Sequence, residues 1–512
     1  MKIFQNLYDK FTPYTSAKPF TANLPTWVTP EDQERINAYE VYEKIYRNVP
    51  NTFSLVMRGT NNRPVTLPTA KTLVEAINRF YAVKWSYAID ENFGNTSTNE
   101  ELRSQLKSLF AREDFYSTLQ ATKRWSLIRG DALLHIVADD TRPEGNRISI
   151  YGVDPSTYFP ITDMNDTSRI VGCHLLTQMK SDDGTTILRR HTYRKEEEGI
   201  FTQVKYFEMN GWDDRWGSSQ EIKEVNPPAQ MRDGQEELHK GFYLPKEITS
   251  IPIYHIKNNP EIENSFGVSE MAGFESVFMA INQVASDMEL QLSLDGAGMY
   301  VTTSGSPVDP QTGDPIPWRL GPGGVVEIEP DTDFKRITGI SGKDLAGIEY
   351  INKIKQEVLE AAGVPEVAIG SSRTRAVESG TSIALRMHPI LSKCAEKEVT
   401  FIGIIDQFLY DLCTMWLPYY EHTSSECRAY SIIGNPIPIS REESIAELTT
   451  LLQAGVIDTE VFREKLTEYG YVFDGSIKNR ILQEKAQMSE AESSGDSFRQ
   501  NVDSLLTGED YV

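Results

Sequence analysis

Along residues 268–294 apolar side chains recur at alternating steps of three and four, and this pattern organises the reading of the chain. On a helix, Met271, Phe274, Phe278, Ile281, Ala285, Met288 and Leu292 form one narrow seam aimed at a partner helix. Asp295-Gly296-Ala297-Gly298 ends it, because glycine enters the left-handed cap conformation without a Cβ clash. A second helix is expected from Ser341-Gly342-Lys343-Asp344, where the serine can cap and the aspartate can reach back. Its stripe is Leu345, Ile348, Ile351, Ile354, Val358 and Ala361, and Gly363-Val364-Pro365 ends it, since proline has no N–H for the ladder. The 47 residues between, 297–343, hold eight glycines and six prolines, which excludes a continuous helix and favours short strands and turns. The chain is expected to run out along one rod, build a small knob and return along another.

Before this pair the period changes twice. Residues 1–29, rich in proline and threonine, read as an irregular arm, and 30–48 as an amphipathic helix with proline at its start. Segments 68–82, 99–111 and 113–129 give three more helical patterns. From 131 to 257 the runs DALLHIVAD, RISIYGV, RIVGCHLLTQM, TTILRRHTYR, FTQVKYFEM and SIPIYHI alternate as strands separated by polar turns. Residues 226–240 read as an exposed loop. Together 30–267 is expected to be one α+β unit. After the pair, residues 366–378 form a loop of small residues, and a helix covers 379–417, with Pro389 expected to kink it and Pro418 to close it. Segment 418–440 contains a strand whose prolines place it at a sheet edge. Ser440 with Glu443 opens short helices over 441–490, and 491–512 is a polar, acidic tail.

Three blocks carry a family resemblance. IPIYHIKNNPEIENSFGVSEMAGFESVFMAINQVASDM (251–288) resembles the segment entering the stem of phage portal proteins, the head-to-tail connectors of tailed double-stranded DNA bacteriophages. AAGVPEVAIGSSRTRAVESGTSIALRM (361–387) is similar to the end of that family's returning stem helix, its tunnel loop and the start of the long helix behind it. GDALLHIVADD and ISIYGVDPSTYFPITD (130–140 and 148–163) are similar to its wing. The resemblance implies a portal fold of α+β class. Its parts would be a wing (30–267), a stem helix (268–296), a small β-containing clip (297–343) and a returning stem helix (344–365). A tunnel loop (366–378), a long kinked helix (379–417), a wing return strand (418–440) and a helical crown (441–490) would follow. It also implies a ring, of twelve subunits in the family, at one capsid vertex. Through that ring double-stranded DNA would pass non-specifically during packaging and ejection. The implied partners are the terminase large subunit, the head–tail adaptor, and the major capsid and scaffolding proteins. The implied location is the virion, with assembly in the host cytoplasm.

Composition and charge fit a folded, non-membrane protein. Hydrophobic residues make up 39% and aromatics 10%, enough for packed cores. Cys173, Cys394, Cys413 and Cys427 show no CxxC spacing, so a reducing site of synthesis is the default. The first residues lack the apolar core of a signal peptide. Segment 399–417 is long and apolar, but Asp406, Gln407 and Asp411 interrupt it; carboxylates are costly in lipid, so a helix buried in protein is expected. The net charge of −23 speaks against a protein that grips duplex DNA through a broad basic face. It suits either simple solubility or a passage whose acidic walls keep a phosphate polymer from sticking.

Catalytic motifs are missing. Gly339-Ile340-Ser341-Gly342-Lys343-Asp344 has two residues between its glycines where a phosphate loop needs four, and Asp344 stands where Ser or Thr would bind magnesium. Gly380-Thr381-Ser382-Ile383-Ala384 lacks the last glycine of a nucleophile elbow. No histidine pair has metal-binding helical spacing, so no metal or cofactor is expected, and a motor or nuclease is disfavoured. The remaining candidates are mechanical. Arg373 and Arg375 lie among small residues in 366–378, either as an ordinary solvated pair or, as the resemblance implies, as phosphate contacts at the channel's narrowest point. Lys343, Lys353 and Lys355 lie off the main apolar stripe of the returning helix; the family's channel would place them along its wall, and otherwise they are a solvated face. Trp318 and Arg319 sit in DPIPWRLGPGG, where the tryptophan either fills the knob's core or marks a docking surface.

Overall fold

The computed structural model describes residues 30–56, 64–82, 85–163, 169–180, 186–209, 222–226, 239–261, 265–297, 299–302, 308–309, 311–315, 334–337, 346–370, 380–434 and 441–468. The chain divides into two compact units, Met1–Pro436 and Ile437–Val512.

The first unit opens with α1 (Pro30–Tyr46) and α2 (Thr69–Tyr81), the latter burying Leu73, Val74 and Ile77. Strand β1 (Trp85–Ile89) follows, then α3 (Thr96–Arg112) and α4 (Phe115–Arg129). Helix α3 starts three residues before the expected 99, because Asn95 and Thr98 form a reciprocal capping box. The Asn95 side chain accepts from Thr98 N–H at 3.0 Å, and Thr98 Oγ1 accepts from Asn95 N–H at 2.9 Å. Helix α4 ends at Gly130, at φ +96°, where a Cβ would stand 2.5 Å from the Gly267 carbonyl oxygen.

Alternation then produces the sheets. Strands β2 (Asp131–Ala138) and β3 (Ile148–Val153) pair antiparallel. They are followed by β4 (Tyr158–Thr162), β5 (Ile170–Lys180), β6 (Thr186–Glu196), β7 (Gly199–Met209), β8 (Ile222–Val225), the two-residue β9 (Phe242–Tyr243) and β10 (Ile253–Lys257). One sheet runs β10-β2-β3; the other runs β4-β5-β6-β7-β8, with β9 also on β7. Every strand run expected between 131 and 257 coincides with one of these strands. Their facing sides share a core of Leu133, Val153, Tyr158, Cys173, Leu175, Tyr193 and Ile200.

Next come α5 (Glu275–Ala297), the short antiparallel pair β11 (Met299–Thr302) and β12 (Phe334–Ile337), and α6 (Ala346–Ala361). Between β11 and β12, Val308 and Pro315 bridge a turn in which Gly313 N–H bonds the Asp309 carbonyl at 2.8 Å. Helix α7 (Gly380–Asp411) carries Pro389 in its interior and buries Ile390, Phe401, Ile405, Phe408 and Leu409. Phe408 stacks on Phe115 at 5.3 Å between centroids, and Phe115 on Phe110 at 4.5 Å.

Two sequence expectations need correction here. Pro418 does not close the long helix. The backbone widens into a π turn over Leu412–Trp416, with Leu417 N–H reaching back to the Leu412 carbonyl. Pro418 then falls in α8 (Leu417–Glu421), directly after the widened turn, and His422 at φ +58° ends the run. Residues 85–89, left without an element by the sequence, are β1, paired antiparallel with β13 (Ala429–Ile433). In the second unit the described residues form α9 (Arg441–Gln453) and α10 (Thr459–Glu468). No described helix is long and apolar enough to cross a membrane.

Candidate functional site: a paired-helix stem and its anchor

The three-and-four spacing yields a helix, but that helix begins at Glu275 rather than 268. Gly273 takes φ +84°, and Ser269 ties the preceding turn to the end of α4. Its hydroxyl donates to the Ile128 carbonyl at 2.6 Å and accepts from Met271 N–H at 3.1 Å. Met271 is therefore buried beside the helix, not on it. Phe278, Ile281 and Ala285 are buried along α5, with Phe274 and Met288 half-buried.

Helix α6 supplies part of the seam's cover. Ile281, Ala285 and Ile351 form one cluster, with Val277, Val284, Met288 and Ile354 against it. The two helices pack tightly at Gly347, where a Cβ would lie 2.6 Å from Met288 Sδ. The rest comes from a source the apolar pattern did not disclose. Asn282 Oδ1 accepts from Leu67 N–H at 2.8 Å, and Ser286 Oγ accepts from Val65 N–H at 3.0 Å. Gln283 both accepts from and donates to the Val56 backbone, at 2.7 and 3.1 Å. Extended backbone thus lies along α5, its polar groups satisfied by helix side chains as a strand would satisfy them. Val65 and Leu67 join the apolar cluster beneath.

Apolar side chains also remain uncovered on this pair: Leu292 is 48% exposed, Ile348 47% and Tyr350 48%. Along α6 the solvent face presents Glu349, Lys353, Glu357 and Glu360, three carboxylates to one cation. Lys353 is exposed and lies 4.0 Å from Glu357. Lys355 does not share that face; it is half-buried beside the apolar stripe, and burial lowers its pKa. Ile351 and Val358 are buried as the stripe required, whereas Ile348 and Ala361 are exposed.

Helix α6 ends in a Schellman motif: Gly363, at φ +71°, donates to the Glu360 carbonyl at 3.0 Å, and Val364 to that of Leu359 at 2.7 Å. The glycine ends the helix, and Pro365 opens a 3₁₀ turn over Glu366–Ile369. Close by is a buried ionic cluster that no spacing in the sequence announced. Glu270 takes Lys393 at 2.6 Å and Lys397 as a second cation, with Asn258 and Asn259 amides at 3.0 Å each. Burial would raise this carboxyl, but Lys397 and Lys393 outweigh it and hold it at about 2. Lys343, Arg373, Arg375, Trp318 and Arg319 lie outside the described residues. Among the described residues no group of His, Cys, Asp or Glu could hold a metal ion.

A family model described as "Phage portal protein, SPP1 Gp6-like" matches residues 28–471. The chain therefore belongs to the phage portal protein family, a structural family rather than an enzymatic one. No curated protein matches it. Among solved structures it is similar to a chain of "Virion of native gene transfer agent (GTA) particle", at 12% identity and a TM-score of 0.42, covering 90% of this chain and 95% of that one. It is similar also to chains of "Neck of native GTA particle computed with C12 symmetry" (13% identity, TM-score 0.40, covering 82% and 98%) and "Neck of empty GTA particle computed with C6 symmetry" (14%, 0.41, covering 87% and 96%).

Proposed function

We propose that this chain assembles into a ring, of twelve copies as in the family it resembles, at one capsid vertex, and that viral DNA passes through it during packaging and ejection. In this reading 30–267 is the wing, α5 and α6 are the stem, 297–343 is the clip, and 366–378 is a loop at the channel. The clip would dock the terminase large subunit and later the head–tail adaptor; the wing would meet the major capsid and scaffolding proteins.

The observation that carries this reading is the solvent face of α6. Its three carboxylates, with the single lysine beside Glu357, make a wall that repels phosphate over about 10 Å at ordinary ionic strength. A polymer of phosphates then slides past without the release of bound counterions that a basic groove would cause. Of the two lysines of the set that lie among the described residues, Lys353 is on this wall and Lys355 is half-buried beside the apolar stripe. A chain-wide charge of −23 acts in the same sense. Negative-stain microscopy of the purified chain tests the proposal. Rings with a central hole are the expected result, and a monodisperse monomer at high concentration would overturn it.

A further inference from the structure

Beside the end of α6, the end of β10 and the middle of α7 lies a cleft of about 500 Å³, within the size range of small-molecule sites. Lys257, Lys393 and Lys397 line it with Thr400, and Glu396 is the carboxylate on its wall. Glu270, itself buried, pairs with Lys393 and Lys397 and brings the count to three cations against two anions. An ammonium has three protons to donate. Lys397 uses all of them, on Glu270, on Asn258 Oδ1 at 2.7 Å and on Asn259 Oδ1 at 2.6 Å. Lys393 uses two, on Glu270 Oε2 at 2.6 Å and on the Ala362 carbonyl at 2.8 Å, and it is 24% exposed. Lys257 is half-buried and uses none on the described residues. Glu396 is exposed, so water screens its charge. The cleft is left with unused donors: one Lys393 proton, the whole Lys257 ammonium and the Thr400 hydroxyl.

Burial lowers the Lys397 pKa, Glu270 opposes this, and the Lys393 charge adds to the lowering. Two ammoniums held on one carboxylate repel each other, and an anion in the cleft relieves that repulsion. We propose that this cleft binds an oxyanion of the phosphate class, held by the charges of Lys257 and Lys393 and by a hydrogen bond from Thr400. Lysine meets phosphate as a point charge rather than as a two-pronged fork. Free phosphate and a phosphodiester therefore share the chemistry that the site recognises. The site lies within one chain and does not depend on ring formation.

The test is equilibrium dialysis of the purified full-length chain against radiolabelled inorganic phosphate, at neutral pH and fixed ionic strength. Saturable binding of one phosphate per chain is expected. Lys257 stands outside the Glu270 cluster, so Lys257→Met should keep the melting temperature measured in chloride. It should weaken phosphate binding about tenfold, the loss of one charge-assisted bond, and Lys257→Arg should restore it. Thr400→Val keeps the side chain's shape, removes the hydroxyl and should weaken binding severalfold; if Lys257→Met fails to fold, this variant decides alone. Absence of saturable binding overturns the proposal, and so does wild-type affinity in the folded variants. A short duplex DNA added as competitor identifies the source of the group. Displacement of the label assigns the site to the phosphodiester backbone, and its retention assigns the site to free phosphate.

Discussion

His135 on β2 and His191 on β6 lie with ring centroids 6.2 Å apart where the two sheets pack, and both are buried. His135 Nε2 meets the Tyr193 hydroxyl at 3.0 Å, and His191 Nε2 meets Thr202 Oγ1 at 2.9 Å. Burial, with Arg189 adding to it, pushes His135 down to about 3 and His191 well below its ordinary value. Because both folded values are depressed, each imidazole favours folding while it is neutral. That stability is complete above about pH 6.5 and is lost as pH falls below it, at about 1.4 kcal/mol per pH unit for each ring. Burial, with Arg190 and Arg194 adding to it, also lowers His174 to about 4, so the melting temperature should decline from pH 6.5 downward and His191→Gln should remove roughly a third of the early slope. A wild-type melting temperature that stays flat from pH 7 to 4.5 would contradict this. Glu270 contributes later in acid, since its folded value of about 2 lies below the unfolded carboxyl range. The sequence showed that no histidine pair had metal spacing, but it could not show that two of them meet. Their contact depends on how two separate sheets pack, and the Glu270 cluster likewise joins residues more than a hundred positions apart.

Spacing was most informative for long elements and least for their ends. The three-and-four pattern is α5, and the alternating runs are the strands of the two sheets. The start of α5 was missed because Gly273 and the Ser269 hydroxyl act locally against a pattern that continues through them. Strand β1 was missed because WSYAI has five residues and, among the described residues, pairs with a strand from the distant 429–433. The polar lacing of α5 was invisible because Asn282 and Ser286 look like solvent positions until a backbone is laid on them. The buried seam residues cannot test association between copies. Phe278 and Ile281 lie in the chain's own core, so aspartate there would disrupt the subunit itself. Among the described residues of this helix pair, Leu292, Ile348 and Tyr350 are large apolar side chains left exposed, and the first two are aliphatic. Leu292→Asp with Ile348→Asp should abolish rings while leaving the far-ultraviolet spectrum of the subunit unchanged. Rings persisting in light scattering would show that neighbours meet elsewhere.

At the scale of the whole molecule, the proposed function divides the handling of DNA between an acidic helix face and a local arginine pair. Arg373 and Arg375 are proposed to touch phosphates, contacts that carry position but no sequence information. Changing both to alanine should leave rings intact and reduce DNA retention moderately. The deficit should shrink as salt rises, because the wild-type contacts are themselves screened. Equal retention by wild type and variant at every salt concentration would return the pair to an ordinary solvated loop. Family membership could be read from the order of three sequence blocks, and the match over 28–471 agrees with it. Ring size and partner surfaces could not be read, because they belong to assemblies rather than to one chain.

The lacing of α5 carries a mechanical corollary. Asn282 and Ser286 are four residues apart on a helix, a rise of about 6 Å, and they hold Leu67 and Val65, two residues apart in extended chain, a span of about 6.7 Å. The two rulers nearly coincide at those points and drift apart on either side, so the helix and the extended segment engage like a rack and its teeth. Sliding one along the other by a single residue would strip both contacts at once. An axial push on α5 is thus shared in parallel with the segment beside it, and α5 resists thrust as one of a bound pair of rods rather than as a lone helix.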